Sequence, residues 1–529
     1  MQFSACPIGA AGRLIAGKRA PTGFSVTRMH TNTRFRGMFE MAVPDDRAAP
    51  SSVIEKRSID YIPDAERHGR LFSQFTLWLG ANLQITAIVT GALAVVLGGD
   101  VYWSLIGLFV GQLLGGGVMA LHAAQGPKLG LPQMISSRVQ FGVYGAVIPL
   151  VLVCLMYIGF SASGSLLAGQ AVAQLIQVPD WQGIVLFAAA IVVLTIFGYR
   201  VIHMIGRVAS VIGVIAFIYL FGALLAGNDV GALLGNKHFS LSSFLLAISL
   251  SASWQIAFGP YVADYSRYLP RSTSASKTFW AVGLGAVIGA QASMVFGVFA
   301  AALAGKNFAH HEVSYIVGLG GTGAVAAALY FSIAFGKVTI TTLNAYGSFM
   351  SIATIVSGFR GNRHISSALR LTYIFAMVGI ATALALLGKD SFLKDFSAFI
   401  LFLLAFFTPW SAINLVDFYC ITKERYDIPA LSNPDGRYGR WNWIGIGIYV
   451  IGVLIQMPFI STHFYTGPLV ASLDDTDISW IIGLVVPAAL YYVVAKKWPG
   501  KIADRLILPT EQDMAEASHN VAPARAAVS

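Results

Sequence analysis

Apolar runs of about 20 residues, the length that crosses a ~30 Å hydrocarbon core, recur along nearly the whole chain from Leu71 onward. No other feature restricts the fold as much, because backbone amides inside lipid must be satisfied within the segment itself. The runs predict an all-α polytopic membrane protein. Composition agrees: 56% of the 529 residues are hydrophobic and 11% are charged, against roughly 25% charged in a soluble domain. Length alone would allow three or four soluble domains, but the polar surface to solvate them is missing. The three cysteines, Cys6, Cys154 and Cys420, are too scattered for a disulfide framework or a metal knuckle, and no cofactor is expected.

Hydropathy gives about twelve transmembrane helices, near 73–98, 102–124, 143–175, 182–199, 205–226, 241–263, 279–304, 322–353, 369–388, 393–415, 442–462 and 479–495. A short amphipathic piece at Gln133–Gln140 is expected at the membrane interface. The net charge of +10 raises the question of nucleic acid, and the placement of the charges answers it. Alternate connections hold fourteen Lys and Arg, the N-terminal tail eleven and the C-terminal tail five. The opposite connections hold four, with nine acids. By the positive-inside rule both termini and the basic loops are cytoplasmic in a cytoplasmic (inner or plasma) membrane. The charge is an orientation signal, and no nucleic-acid partner follows. The first 39 residues carry six basic residues and no acid, a transit-like composition that reads better as a disordered tail or a start placed ahead of Met38 or Met41.

All but one of the 35 Lys and Arg are thereby placed. The exception is Lys337, inside the eighth span. A Lys at a helix centre costs about 2.5–3.5 kcal/mol on insertion scales, so it points to a solute or cation site over a snorkelling side chain. Lys337, Thr341 and Asn344 follow i, i+4, i+7 and share one helix face.

Broken helices are a second signal, because free carbonyls and amides at mid-membrane depth bind ions and solutes. Gly259-Pro260 is expected to interrupt the sixth span, and Gly80-Ala81-Asn82 the first. Aromatics are a third. Tyr157 and Ser161 are i, i+4 on the third span, and Trp254 and Phe258 are i, i+4 on the sixth. Rings flanking a cavity suit a planar solute, with stacking worth ~1–3 kcal/mol per face by analogy with bases. Gln255 and Asn344 offer paired donors and acceptors to a ring edge. Two motifs are set aside: the GxGxxG match at Gly318–Gly323 has no preceding strand, and His310-His311-Glu312 lacks a fourth ligand.

These motifs resemble the nucleobase–cation symporter family, the purine–cytosine permeases, from about Ile59 to Lys496. The resemblance rests on Ile62-Pro63-Asp64-Ala65-Glu66-Arg67, Trp78-Leu79-Gly80-Ala81-Asn82, Ser137-Arg138-Val139-Gln140-Phe141-Gly142, Asp264-Tyr265-Ser266-Arg267-Tyr268 and Asn344-Ala345-Tyr346. It implies a leucine-transporter-type fold with a 5+5 inverted repeat plus two C-terminal helices, alternating access, and uptake of a nucleobase or related heterocycle with Na⁺ or H⁺. Carried over by position, Tyr157 stands where the family usually has a stacking Trp, and Ser161 where it often has an amide. Phe258 aligns with the sixth-span aromatic, Trp254 lies one turn earlier, and Asn344 matches an Asn that bonds substrate. The family's cation site falls between Gly80 and Ala81 and the eighth span near Thr339 and Thr341. Lys337 departs from the pattern. An ammonium there can replace Na⁺ electrostatically, which predicts H⁺ coupling through Lys337. Asp264 and Arg267 read as gate or folding elements.

The chain accordingly divides into a cytoplasmic tail (1–71), a ten-helix core (72–415, repeats 72–226 and 241–415), a cytoplasmic loop (416–441), two added helices (442–496) and a second tail (497–529). The expected activity is secondary active import of a cytosine-, purine-, hydantoin- or allantoin-class solute through the lipid bilayer. An amino-acid, amine or vitamin carrier of the same fold is the alternative. A membrane-embedded enzyme would need a convergent nucleophile–base pair or metal ligands, and the charge census offers neither. A channel is the remaining rival. Oligomeric state is not legible.

Overall fold

The computed structural model describes residues 59–197, 199–235, 237–361, 367–500, 502–511 and 513. The expectations for the first forty residues lie outside these. In order, the helices are α1 Leu71–Asn82, α2 Ile85–Val96, α3 Val101–Leu129, α4 Gln133–Ser136, α5 Arg138–Phe141 and α6 Val147–Ile176. Next come α7 Asp180–Phe197, α8 Tyr199–Gly227, α9 Val230–Gly235, α10 Leu241–Ile256, α11 Gly259–Ser266 and α12 Ala275–Ala304. The remainder are α13 Glu312–Gly320, α14 Ala324–Arg360, α15 Ser367–Leu387, α16 Phe392–Val416, α17 Trp443–Leu454 and α18 Ser479–Lys497. Among the described residues, nine helices are long and apolar enough to cross a membrane, or ten if the bent α1–α2 pair is one span. Asp180–Thr195 and Trp443–Phe459 are shorter apolar helices. The eleventh expected span is thus shorter than 442–462: α17 ends at Leu454, before Pro458, which has no amide to continue a helix.

Both interruptions exist, each displaced from its expected residues. In the first span the helix stops after Asn82 and restarts at Ile85, bent by 57°. Gly80 and Ala81 remain helical. The Ala81 carbonyl loses its helical partner, and the Gln84 side chain replaces it, Nε2 donating at 2.7 Å; such local bonds compete with the helix ladder. In the sixth span the pause falls at Ala257–Phe258, and Pro260 sits in the first turn of α11. Pro260 cannot donate to the Ile256 carbonyl, so its effect appears in the residues before it. Here the axis continues without a bend above 40°.

Close backbone contact defines one side of the molecule. Gly285, Gly289, Ser293 and Gly297 form a small-residue stripe along α12 at i+4 spacing. A Cβ on Gly285 or Gly289 would lie 2.3 Å from the Phe75 carbonyl oxygen or 2.5 Å from that of Leu79, both on α1. On Gly297 it would lie 1.8 Å from the Ile88 oxygen of α2, and Gly91 of α2 meets the Met294 oxygen at 2.2 Å in return. Gly107, Gly111 and Gly115 of α3 make the same kind of seam with α10. Small residues admit this approach where lipid supplies no hydrophobic drive between helices. Another face of α12 leaves Trp280, Leu284 and Ile288 exposed, as a lipid-contacting surface requires.

The α4–α5 piece, expected at the membrane interface, is buried within the protein: Gln133, Arg138 and Gln140 are at most 2% exposed. Arg138 donates to the carbonyls of Leu431 (2.9 Å) and Thr354 (2.8 Å) and to Ser357 Oγ (2.9 Å), which offsets the cost of burying its guanidinium. The C-terminal segment is also tied down, Ile507 exchanging backbone bonds with Tyr426 and Ile428.

Glu312, at the start of α13, is buried, and its Oε1 accepts from the His310 amide at 3.1 Å. Burial pushes its carboxyl above the ordinary 4.5. The fold therefore binds this proton more tightly than the unfolded chain does. The matching stability is present below the ordinary value and is lost as pH rises through the raised one. Glu312→Gln is expected to melt with wild type in acid and above it at neutral pH, read from thermal melts across pH.

Candidate solute and cation site

The break in the first span is where the polar side chains of the core meet. Leu83 and Gln84 lie outside the helical conformation. Thr86, opening α2, donates to Gln84 Oε1 at 2.9 Å. Lys337 reaches the same oxygen from the middle of α14, Nζ donating at 2.9 Å to Gln84 Oε1 and at 3.3 Å to Thr86 Oγ1. It is 3% exposed. Room for it comes from Gly164 of α6: a Cβ there would lie 2.8 Å from Lys337 Cε, 3.0 Å from Nζ and 3.3 Å from Thr341 Oγ1. Tyr157, Ser161 and Gly164 share one face of α6 at i, i+4, i+7, so α6 turns that face toward Lys337 and Thr341.

Three buried hydroxyls near this junction, on Ser161, Thr339 and Thr341, have no hydrogen-bond partner. A buried polar group without a partner costs about 1–3 kcal/mol, and two of the three, Ser161 and Thr341 on facing helices, mark a place that a ligand, ion or water completes. Thr339 turns toward α8, its Cγ2 2.9 Å from where a Gly206 Cβ would be. Gly80 faces Ser210, one turn further along α8, whose Oγ lies 3.9 Å from a Gly80 Cβ. Neighbouring turns of α8 thus meet Gly80 and Thr339. The Ala81 carbonyl is engaged by Gln84. Asn344 is buried two turns beyond Lys337 on the same face.

Aromatic rings adjoin the junction. Trp254 Nε1 donates to Asn82 Oδ1 at 2.7 Å, fixing the indole to the last turn before the break. Phe258 stands edge-on to Trp254 (5.8 Å) and to Trp78 (5.3 Å). Tyr261 joins Phe258 at 5.8 Å to Tyr157 at 5.4 Å. Tyr157 lies against Gly347 of α14, where a Cβ would be 2.5 Å from its ring. An apolar cavity of about 410 Å³ between α6, α15 and α16 includes Gly159, Ser163 and Phe399 in its lining. Phe160 connects it to the cluster, edge-on to Phe399 (5.3 Å) and Trp254 (5.6 Å).

Not every expected residue joins. Gln255 turns the other way, donating to Gln112 Oε1 (2.6 Å) on α3 and to the Ala286 carbonyl (3.2 Å) on α12. Asp264 and Arg267 sit at the end of α11, apart from the junction. Asp264 Oδ1 accepts from the Gln133 amide at 2.8 Å, and Arg267 donates to the Asp60 carbonyl at 3.3 Å. They tie the sixth span to α4 and to the segment ahead of α1. Gln84 and Thr86 were given no role by the sequence reasoning, although two polar residues within an apolar run were the available signal.

Helices broken at mid-length, with a polar junction and an aromatic wall beside the break, define a solute carrier. Residues 61–483 match the family of permeases for cytosine/purines, uracil, thiamine and allantoin, and the chain belongs to this family, one of permeases and not of enzymes. It is 39% identical over 452 residues to the putative purine-cytosine permease YxlA of Bacillus subtilis (strain 168), covering 84% of this chain and 96% of that one. Among solved structures, the inward-facing conformation of Mhp1 superposes with a TM-score of 0.68 at 17% identity, over 89% of this chain and 99% of that one. Closed Mhp1, a nucleobase-cation-symport-1 family transporter with bromovinylhydantoin bound, gives 0.65 at 19% identity, over 89% and 100%. The fold is of the leucine-transporter type, and the chain is a multi-pass membrane transporter.

Proposed function

We propose that the chain imports a nucleobase or related planar nitrogen heterocycle by cation symport with alternating access, and that the coupling ion is a proton carried by Lys337. The observation that supports this most is the junction itself, where an ammonium inside a span bonds to the break of another, with the partnerless hydroxyls of Ser161 and Thr341 on the helix faces that meet there. Tyr157, Trp254 and Phe258 flank the ring, while Ser161 and Asn344 read its edge, and Gln255, bonded to Gln112, stands outside this set. Gly80, Ala81, Thr339 and Thr341 surround the cation region, where Lys337 stands in for a metal ion. Substrates named for the family, and hydantoin in the solved relative, support the heterocycle class. The placement of basic residues supports twelve spans in a cytoplasmic membrane with both termini inside, arranged as repeats at 72–226 and 241–415.

The test is uptake into proteoliposomes under an imposed inward pH gradient, without Na⁺, with radiolabelled cytosine, adenine, hydantoin and allantoin. Accumulation above equilibrium is expected for at least one of them. An absolute requirement for Na⁺ would overturn the proton assignment, and accumulation of amino acids alone would overturn the substrate class.

A further inference from the structure

Among the described residues the buried ammonium has no counter-charge. Lys337 bonds to Gln84 Oε1 and Thr86 Oγ1, both neutral, and no aspartate or glutamate pairs with it among the described residues. Neither α1 nor α2 contains a titratable side chain, and those on α6 are Cys154 and Tyr157, two turns or more before Gly164. A charge in a low-dielectric site without an opposite charge is expensive, and a partner that brings one gains more there than in water.

The hydrogen-bonding inventory leans the same way. Gln84 Oε1 already accepts from Lys337 and Thr86. What is left around Gly164 is one N–H of the ammonium, which can only donate, and the Ser161 and Thr341 hydroxyls that lack partners and can turn their O–H toward an acceptor. These groups suit a ring edge rich in acceptors, and an anionic one best, since charge-assisted bonds are roughly twice as strong as neutral ones.

We propose that the substrate is an acidic nitrogen heterocycle bound as a monoanion, its negative edge on Lys337 Nζ, Ser161 Oγ and Thr341 Oγ1. This rests on the transport reading above and narrows its substrate class. The loaded site then carries an ion pair of no net charge: the anion's charge is balanced by the proton on Lys337, and the pair crosses electroneutrally.

The experiment is equilibrium binding to the purified full chain in nanodiscs, using paired probes that share a ring. Uric acid is compared with hypoxanthine, and orotic and barbituric acids with uracil; the first member of each comparison is an anion at neutral pH. Each anion is expected to bind ~10-fold or more tighter than its neutral partner, about 1.4 kcal/mol. That ratio is expected to collapse in Lys337→Met. In Gly164→Ala it should fall part of the way, because the new methyl displaces only the flexible end of Lys337 and the melting temperature holds. Neutral bases binding as tightly as the anions, or a ratio that survives in Lys337→Met, overturns the anion proposal and leaves the transport reading standing. Binding of none of the probes at millimolar concentration overturns both.

Discussion

Lys337→Met is expected to cut concentrative uptake by two orders of magnitude or more, about 2.7 kcal/mol, and to flatten its dependence on the pH gradient. Methionine keeps an unbranched apolar stem against Gly164 and removes only the ammonium, with its bonds to Gln84 Oε1 and Thr86 Oγ1. Replacing a buried charge by an apolar side chain of similar volume is often neutral or stabilising. The variant should therefore melt at or above wild type, which separates lost transport from lost folding. The measurement is a time course in proteoliposomes with and without an inward proton gradient. Gradient-driven accumulation at wild-type level in the variant would show that the coupling proton travels by another group.

The second large effect falls on the α12 seam. Gly297→Ala places a methyl 1.8 Å from the Ile88 carbonyl oxygen, and Gly91→Ala places one 2.2 Å from that of Met294. In both cases the obstruction is backbone, so the helices must part. Overpacking a tight contact costs typically 1–3 kcal/mol and occasionally more, and each of these changes is expected at or above the upper end. The readout is the yield of monodisperse protein and its melting temperature. Gly222→Ala on α8 is the control, because a Cβ there meets nothing within 4 Å; it should stay within about 0.5 kcal/mol of wild type or gain slightly from helix propensity.

Much of the fold was legible because a membrane span is the strongest pattern a sequence can carry. Lys337 was legible for the same reason, as the one basic residue that topology left unplaced. The breaks were readable in kind and misplaced in position. Gly80 marked a weak point in the first helix, but the chain unwinds one turn later, where the Gln84 side chain can satisfy the Ala81 carbonyl. Pro260 likewise acts on residues before it. Gln255 was a different sort of error. Consecutive helical residues point about 100° apart, so a helix that turns Trp254 and Phe258 toward the junction turns Gln255 away, here onto Gln112. The role of Gly164 could not be read at all, since only the opposing helix shows what the missing side chain makes room for.

The seams also bear on how such a molecule can move. Where α12 meets α1 and α2, and where α3 meets α10, carbonyl oxygens sit in notches that would hold no methyl group, so sliding along these contacts is blocked at every turn. Across α6 and α14 the glycines receive side chains instead, the Tyr157 ring at Gly347 and the Lys337 stem at Gly164, and side chains can swing. The contacts that can yield therefore lie between α6 and α14, while the seams of α12 with α1 and α2 and of α3 with α10 are stiff. The bond from Lys337 to Gln84 ties α14, on the yielding side, to the break of the first span, on the stiff one. Under the proton-symport reading proposed above, that bond is the latch on which an arriving proton and solute would act.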